Sequence, residues 1–162
     1  MGKAMLGVEV AIIDEQGNKF PPGKIGEIAI KRKDEWFRIK DAGVCDEEGY
    51  FWHKGRVDDV IISSGWTISS SEVEDALQKH EAVEEAVVVG APDKERGQIV
   101  KAYLKVKKEP TEALKKEIMA FVKERLSKHE YPRAIEFVDE IPKSAGGKID
   151  RKKIKDWVAT GG

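Results

Sequence analysis

The sequence predicts an α+β domain, a small antiparallel sheet flanked by helices, preceded by a β-rich fragment. Two patterns carry this expectation. Residues 1–54 hold only strand-length apolar runs punctuated by turn residues, whereas from residue 55 strand-like and helix-like periods alternate. The length of 162 residues, 40% of them hydrophobic, is enough for one ordinary domain or for a small domain with part of another.

In the first part, Val8–Asp14 reads as a strand, closed by the turn Glu15-Gln16-Gly17-Asn18 and a second turn at Pro21-Pro22-Gly23. Ile25–Ile30 follows as a strand with Ile28 and Ile30 on one face. Trp36–Ile39 and Tyr50–His53 are short strands separated by Asp46-Glu47-Glu48-Gly49. So few strands need a partner layer, which makes this segment the end of something larger.

In the second part, Asp59–Ile62 is a short apolar strand. Ser69 and Ser71 are N-cap candidates with Glu72 and Glu74 three residues on, the capping-box spacing. Val73, Ala76, Leu77 and His80 then share a helical face. Val83–Gly90 and Ile99–Val106 read as strands, and the run Ala86–Val89 suits burial. Pro110-Thr111 opens the strongest helix, with Leu114, Ile118, Phe121, Val122 and Leu126 in one stripe and Arg125 at its edge. Ile135–Val138 is a strand, and Lys152–Val158 a helix anchored by Ile154, Trp157 and Val158. The order β-α-β-β-α-β-α describes a domain of about 100 residues, an ordinary size.

Charge narrows the partners. With 29 basic and 30 acidic residues the net charge is -1, so no global field draws nucleic acid or an anionic membrane. Neither is expected as a partner. Cys45 is the single cysteine, which excludes an internal disulfide and a Cys-based zinc site, and no metal site is expected. No apolar run reaches the roughly 20 residues of a membrane span, and Met1–Leu6 lacks the core of a secretory signal. A cytoplasmic location is the expectation.

Three stretches stand out chemically. Gly55-Arg56-Val57-Asp58-Asp59-Val60-Ile61-Ile62-Ser63-Ser64-Gly65-Trp66-Thr67-Ile68 precedes Glu72-Val73-Glu74. Alone, Arg56 and Asp58 fit either a surface ion pair at a turn or a polar hinge whose dihedrals change. Pro142-Lys143-Ser144-Ala145-Gly146-Gly147-Lys148-Ile149-Asp150-Arg151 sets paired glycines before a lysine. That is a loop able to approach a ligand closely and offer it a compact cation, or a solvated loop with a stray lysine. It is not a P-loop, since the first glycine and the final Ser/Thr are absent. Tyr131-Pro132-Arg133 is a helix stop before a strand, and Arg151-Lys152-Lys153 reads as a helix face.

Together and in this order, these stretches resemble the C-terminal end of the adenylate-forming family of acyl-CoA synthetases, luciferases and peptide-synthetase adenylation domains. Residues 1–54, with Pro22-Gly23-x-x-Gly26-Glu27-Ile28 and Asp46-x-x-Gly49-Tyr50, resemble the β-rich end of the large N-terminal domain. Residues 55–162 resemble its C-terminal lid domain. Tyr131-Pro132-Arg133-x-Ile135-Glu136-Phe137-Val138 is most similar to the short- and medium-chain acyl-CoA synthetase branch.

The resemblance implies an AMP-forming acid–thiol ligase of fatty acid metabolism. ATP and a small carboxylic acid give an acyl-adenylate, and CoA then gives the thioester, with magnesium assisting on the phosphates. It implies that Lys148 bridges carboxylate and phosphate oxygens as the catalytic residue, and that Asp41 and Arg56 bind the nucleotide ribose. It makes Asp58 the hinge and sets Gly65 and Thr67 along the CoA channel.

There are departures from the family pattern. Ile39-Lys40 replaces Thr-Gly before Asp41, Thr67 stands where many relatives carry arginine, and Ser69-Ser70 replaces Gly-Pro. The loop between Ile30 and Trp36 is short. No phosphate loop or acyl pocket is present, so the essential partner is an N-terminal adenylating domain, and the isolated chain is not expected to adenylate anything. The alternatives are a non-catalytic nucleotide- or partner-binding module derived from such a lid and, ranked lower, the end of a peptide-synthetase adenylation domain.

Overall fold

A computed structural model describes residues 2–160. Met1 and Gly161-Gly162, at the outer ends of the two sequence-based ranges, lie outside the described residues. The chain divides between Val60 and Ile61 into two compact units. The sequence boundary at 54/55 falls slightly earlier. Gly55 and Arg56 stay with the first unit because their strand continues in register against Ala42 and Asp41.

The first unit is one antiparallel sheet of β1 (Gly2–Lys3), β2 (Val10–Ile13), β3 (Gly26–Arg32), β4 (Glu35–Cys45) and β5 (Tyr50–Arg56). Its order is β1-β5-β4-β3-β2. Strand alternation gives it two apolar faces. Ala11, Ile13 and Ala29 pack with Trp36 on one, and Ile12, Ile28 and Phe51 with Val10, Phe20 and Ile39 on the other. The β4–β5 turn is built by Asp46, whose carboxylate accepts from the Tyr50 and Glu48 amides at 2.8 and 3.0 Å and from Trp52 Nε1 at 3.0 Å. The indole bond, first, and the amides next hold this carboxyl below its ordinary range. The Asp46-x-x-Gly49-Tyr50 pattern thus has a local structural cause.

The strand expected over Trp36–Ile39 is far longer, reaching Cys45, so Asp41 lies inside a strand. Strand β1 has too few residues for a period to be read.

The second unit begins within the ribbon of β6 (Val60–Ser63) and β7 (Trp66–Ser69), one residue into β6. Strand β7 goes unread in the sequence, although the Ser64-Gly65 pair between the strands is a turn signal. Helix α1 (Ser70–Gln78) follows, with the Ser69 side chain accepting from the Glu72 amide at 3.4 Å. Then come β8 (Val83–Asp93), β9 (Gly97–Val106), α2 (Glu112–Lys123), β10 (Ala134–Phe137) and α3 (Arg151–Thr160). Thr111 caps α2 by accepting from the Leu114 amide at 3.1 Å.

The main sheet has the order β10-β9-β8. Strands β8 and β9 pair antiparallel, but β10 joins β9 parallel. The sheet is therefore mixed rather than purely antiparallel, because α2 lies between β9 and β10 and carries the chain back to the same end. Val73, Leu77, Val88, Val100, Leu104, Ile118 and Val122 fill one face, and Val87, Val89, Tyr103, Ile141 and Ile154 the other. Both faces of β8 are covered, which explains its unbroken apolar run.

Candidate functional site

The register of β4 and β5 sets Asp41 opposite Arg56. Arg56 Nη1 donates to Asp41 Oδ1 at 2.7 Å. His53 Nε2 lies 3.8 Å from the same oxygen, while its Nδ1 accepts from the Gly55 amide at 3.3 Å. The β-bulge between Ala42 and Gly43 brings His53 round to this side. Asp41 Oδ2 takes no partner among the described residues, leaving one carboxylate oxygen and the exposed guanidinium open to hydroxyl groups. The sequence reading named Asp41 and Arg56 but missed His53, which only the bulge aligns.

The residue before this aspartate has an unusual backbone. Lys40 has φ of 64°, in the left-handed region, at the position where the resembled pattern carries glycine. Its amide donates to Oε1 of the buried Glu27 at 3.1 Å, and Glu27 Oε2 accepts from Arg38 at 2.8 Å. Arg38 also reaches the Asp14 and Glu15 carbonyls. This network holds the strained residue in place. Since the Lys40 side chain is exposed, Lys40→Gly should stabilise the first unit by about 0.5–1 kcal/mol, the relieved strain exceeding the entropy lost to glycine. A rise in the urea midpoint at constant m-value is the expected reading, and a fall would contradict the strain argument.

Asp58 sits in a 3-10 turn, Val57–Asp59, closed by the Val60 amide donating to the Val57 carbonyl. The turn ends immediately before Val60, the last residue ahead of the division between units.

Gly65 is the second residue of the β6–β7 turn, with φ of 79° beside Ser64 at 49°. Positive φ at both positions is the geometry of a tight hairpin, and it strongly favours glycine. Thr67 lies on β7, half-buried, and the Trp66 ring stacks on His129 at 4.0 Å and 15°.

Lys148 occupies a rooted loop. Lys143 and Ile149 form an antiparallel bridge, the Asp150 amide donates to the Pro142 carbonyl at 2.8 Å and the Ser144 amide to the Lys148 carbonyl at 2.7 Å. Gly147, with φ of 76°, closes the tip. Fully buried Ile141 and Ile154 anchor the flanks, each contributing about 1.5–3 kcal/mol of burial.

The two lysines of this loop differ. Lys143 pairs with Glu85, whereas Lys148 is exposed and makes no side-chain bond among the described residues. Its ammonium is presented outward on a short rigid base, which is what delivery to an anionic ligand requires.

The base is tied further by Glu74 and Arg151. The capping-box spacing at Glu74 and the helix face at Arg151, which opens α3, give no sign of their pairing. Arg151 Nη2 donates to Glu74 Oε2 at 2.7 Å, Glu74 Oε1 accepts from the Val88 amide at 2.8 Å, and Arg151 Nη1 donates to the Val88 carbonyl at 3.2 Å. The pair therefore satisfies the edge of β8 as a neighbouring strand would. Their separation of 77 positions hides this from any local pattern.

Asp41 and Arg56 are thus brought together in the first unit, while in the second Gly65 and Thr67 lie on the β6–β7 hairpin and Lys148 on a separate loop. Among the described residues no group of three or more potential ligands stands ready for a metal ion. No helix among them is long and apolar enough to cross a membrane.

Comparison with known proteins adds the context. Residues 72–148 match the family described as AMP-binding enzyme C-terminal domain. The acetyl-coenzyme A synthetase of Bacillus subtilis is 44% identical over 97% of this chain and 32% of its own length. The human mitochondrial acyl-coenzyme A synthetase ACSM4 is 43% identical over 96% and 32%. Among solved structures, the anthranilate CoA ligase AuaEII in complex with anthranoyl-AMP is similar at a TM-score of 0.80 and 35% identity, over 97% of this chain and 34% of that one. The chain spans about a third of the length of the curated relatives it matches. The match to the Bacillus subtilis protein extends over 180 residues, more than the 162 of this chain, so that relative carries internal positions without a counterpart here.

Proposed function

Because this chain belongs to the adenylate-forming family, as a C-terminal portion of the acyl-CoA synthetase kind, we propose that it serves as the lid of a carboxylate-activating enzyme. In the first half-reaction a carboxylate oxygen attacks the α-phosphorus of ATP, and the bond to pyrophosphate breaks to leave an acyl-adenylate. Two anions must meet, so a cation between them lowers the barrier. Lys148 takes that role. The observation that carries the reading is its outward ammonium, unpaired among the described residues, on a loop whose base is fixed.

Asp41 and Arg56 bind the ribose. A carboxylate with an open oxygen accepts from sugar hydroxyls, and the neighbouring guanidinium both donates to the sugar and holds the aspartate in place. In the second half-reaction the CoA thiol attacks the acyl carbon and AMP leaves. Lys148 withdraws, and the hairpin bearing Gly65 and Thr67 lines the thiol's approach. Rotation at Asp58 exchanges the two arrangements, a use supported by its place in one short turn at the edge between compact units.

ATP, CoA, a small carboxylic acid and an N-terminal adenylating domain are therefore the proposed partners. The cytoplasm is the proposed setting, in keeping with a single unpaired cysteine. A second reading, a binding module without catalysis, draws on the relative's extra internal positions and on the tight β3–β4 turn at Lys33, with φ of 55°.

One substitution tests the hinge. Asp58→Pro fixes a φ angle that a hinge must change. In the enzyme completed by its adenylating domain, thioester formation from supplied acyl-adenylate should fall by at least tenfold, with adenylation retained. Rapid-quench measurement of each half-reaction checks this, and an unchanged thioester rate would remove the hinge from the scheme.

A further inference from the structure

The hairpin that bears Gly65 has two short strands, and an isolated two-stranded ribbon is barely stable in water. Its tip is nevertheless held by another turn of the same unit. The Ile62 amide donates to Gln98 Oε1 at 3.2 Å, the Ser64 amide to the Arg96 carbonyl at 3.0 Å, and Arg96 Nη1 to Ser64 Oγ at 3.3 Å. Arg96 is itself fixed, because Asp93 Oδ1 accepts its amide at 2.8 Å and that of Glu95 at 3.0 Å. The turn between β8 and β9 is thus a preformed cradle for the turn between β6 and β7.

Gln98 is aimed by what lies beneath it. A Cβ added at Gly90 would stand 2.6 Å from Gln98 Oε1 and 2.8 Å from its Cδ, so the amide lies flat over bare backbone. Gly90 does not have a positive φ. The glycine is there for the close approach and not for its own dihedrals.

We infer that Gln98 is a positioning residue for the thioester half-reaction: seated on Gly90, its carbonyl oxygen fixes the Gly65–Thr67 hairpin in the position that the acyl-accepting thiol needs. This deepens the proposed function and rests on it. Misplacing a channel by an ångström costs on the order of a hundredfold in rate. Adenylation uses a different loop, the one carrying Lys148, and is left alone.

The test combines two readouts on three variants. Gln98→Met keeps the volume and loses the acceptor, Gln98→Glu keeps both, and Gly90→Ala displaces the side chain without touching it chemically. In this chain, amide hydrogen exchange should show Ile62 protection lost in Gln98→Met and Gly90→Ala and kept in Gln98→Glu. In the enzyme completed by its adenylating domain, the first two should slow thioester formation from supplied acyl-adenylate by about 10- to 100-fold with adenylation unchanged, and Gln98→Glu should restore it. Retained Ile62 protection in Gln98→Met overturns the inference, as does a normal thioester rate once protection is gone. Wild-type enzyme that forms no thioester overturns the functional reading and this inference with it, whereas intact wild-type chemistry beside an unaffected Gln98→Met sinks the inference alone.

Discussion

Replacing Lys148 with alanine is expected to slow acyl-adenylate formation by about 10²–10³-fold in the enzyme completed by its adenylating domain, with thioester formation from supplied acyl-adenylate persisting. The magnitude is that of removing one preorganised charge from a site where negative charge builds. The selectivity follows from the loop. Lys148 is exposed and unbonded among the described residues, so its loss leaves no buried group unsatisfied. The backbone bonds that root the loop, from Ser144 to Lys148 and from Asp150 to Pro142, do not involve the side chain. Stability should therefore change little, within the usual range of about 0.5 kcal/mol for surface substitutions. Lys148→Arg keeps a charge but replaces a compact ammonium with a planar fork, and an intermediate rate is expected. Single-turnover pyrophosphate release measures the first half-reaction and quenched-flow thioester assay the second. Equal losses in both would assign Lys148 to general nucleotide binding instead.

Glu74→Ala is expected to destabilise the second unit by about 3–5 kcal/mol, the cost of breaking an ion pair that is largely removed from water. Glu74 is 7% exposed and the Arg151 side chain 23%. Removing the carboxylate takes from the guanidinium its charged partner and leaves the Val88 amide, on the sheet's edge, without its acceptor. Glu74→Gln should cost less, because an amide oxygen still accepts from Val88. Urea denaturation followed by tryptophan emission reads the change, since Trp157 packs edge-on against buried Tyr103 at 5.5 Å. The consequence extends to chemistry. Arg151 follows Lys148 by three positions and begins α3, so an Arg151 that has lost its carboxylate partner loosens the base on which the lysine stands. An alanine variant as stable as the parent chain would mean that the pair is dispensable and that the edge of β8 is satisfied otherwise.

Much of the fold was legible because its signals are local. The stripe from Leu114 to Val122 needs only a period of 3.6 residues, and Thr111 lies where a cap belongs. The buried run of β8 and the turns at Asp46 and Gly17 are equally short-range. Strand β7 was missed because a four-residue strand carries too little pattern, although its Ser-Gly turn was visible. Extension of β4 through Asp41 was missed because Lys40 interrupts the alternation with a left-handed residue held by a carboxylate thirteen positions away.

Residue types and their order determined the two-part organisation, the helices and their caps, and the choice of Lys148, Asp41, Arg56, Asp58, Gly65 and Thr67 as candidates. Those depend on neighbours within a few positions and on motifs whose order can be read directly. Tertiary structure alone decided that Asp41 meets Arg56 and His53, that Glu74 and Arg151 close a sheet edge, and that Gln98 and Arg96 cradle the Gly65 turn. Each of these contacts joins side chains far apart along the chain through strand register or the packing of separate elements. No local period encodes such distances, so they exist only once the sheet is assembled.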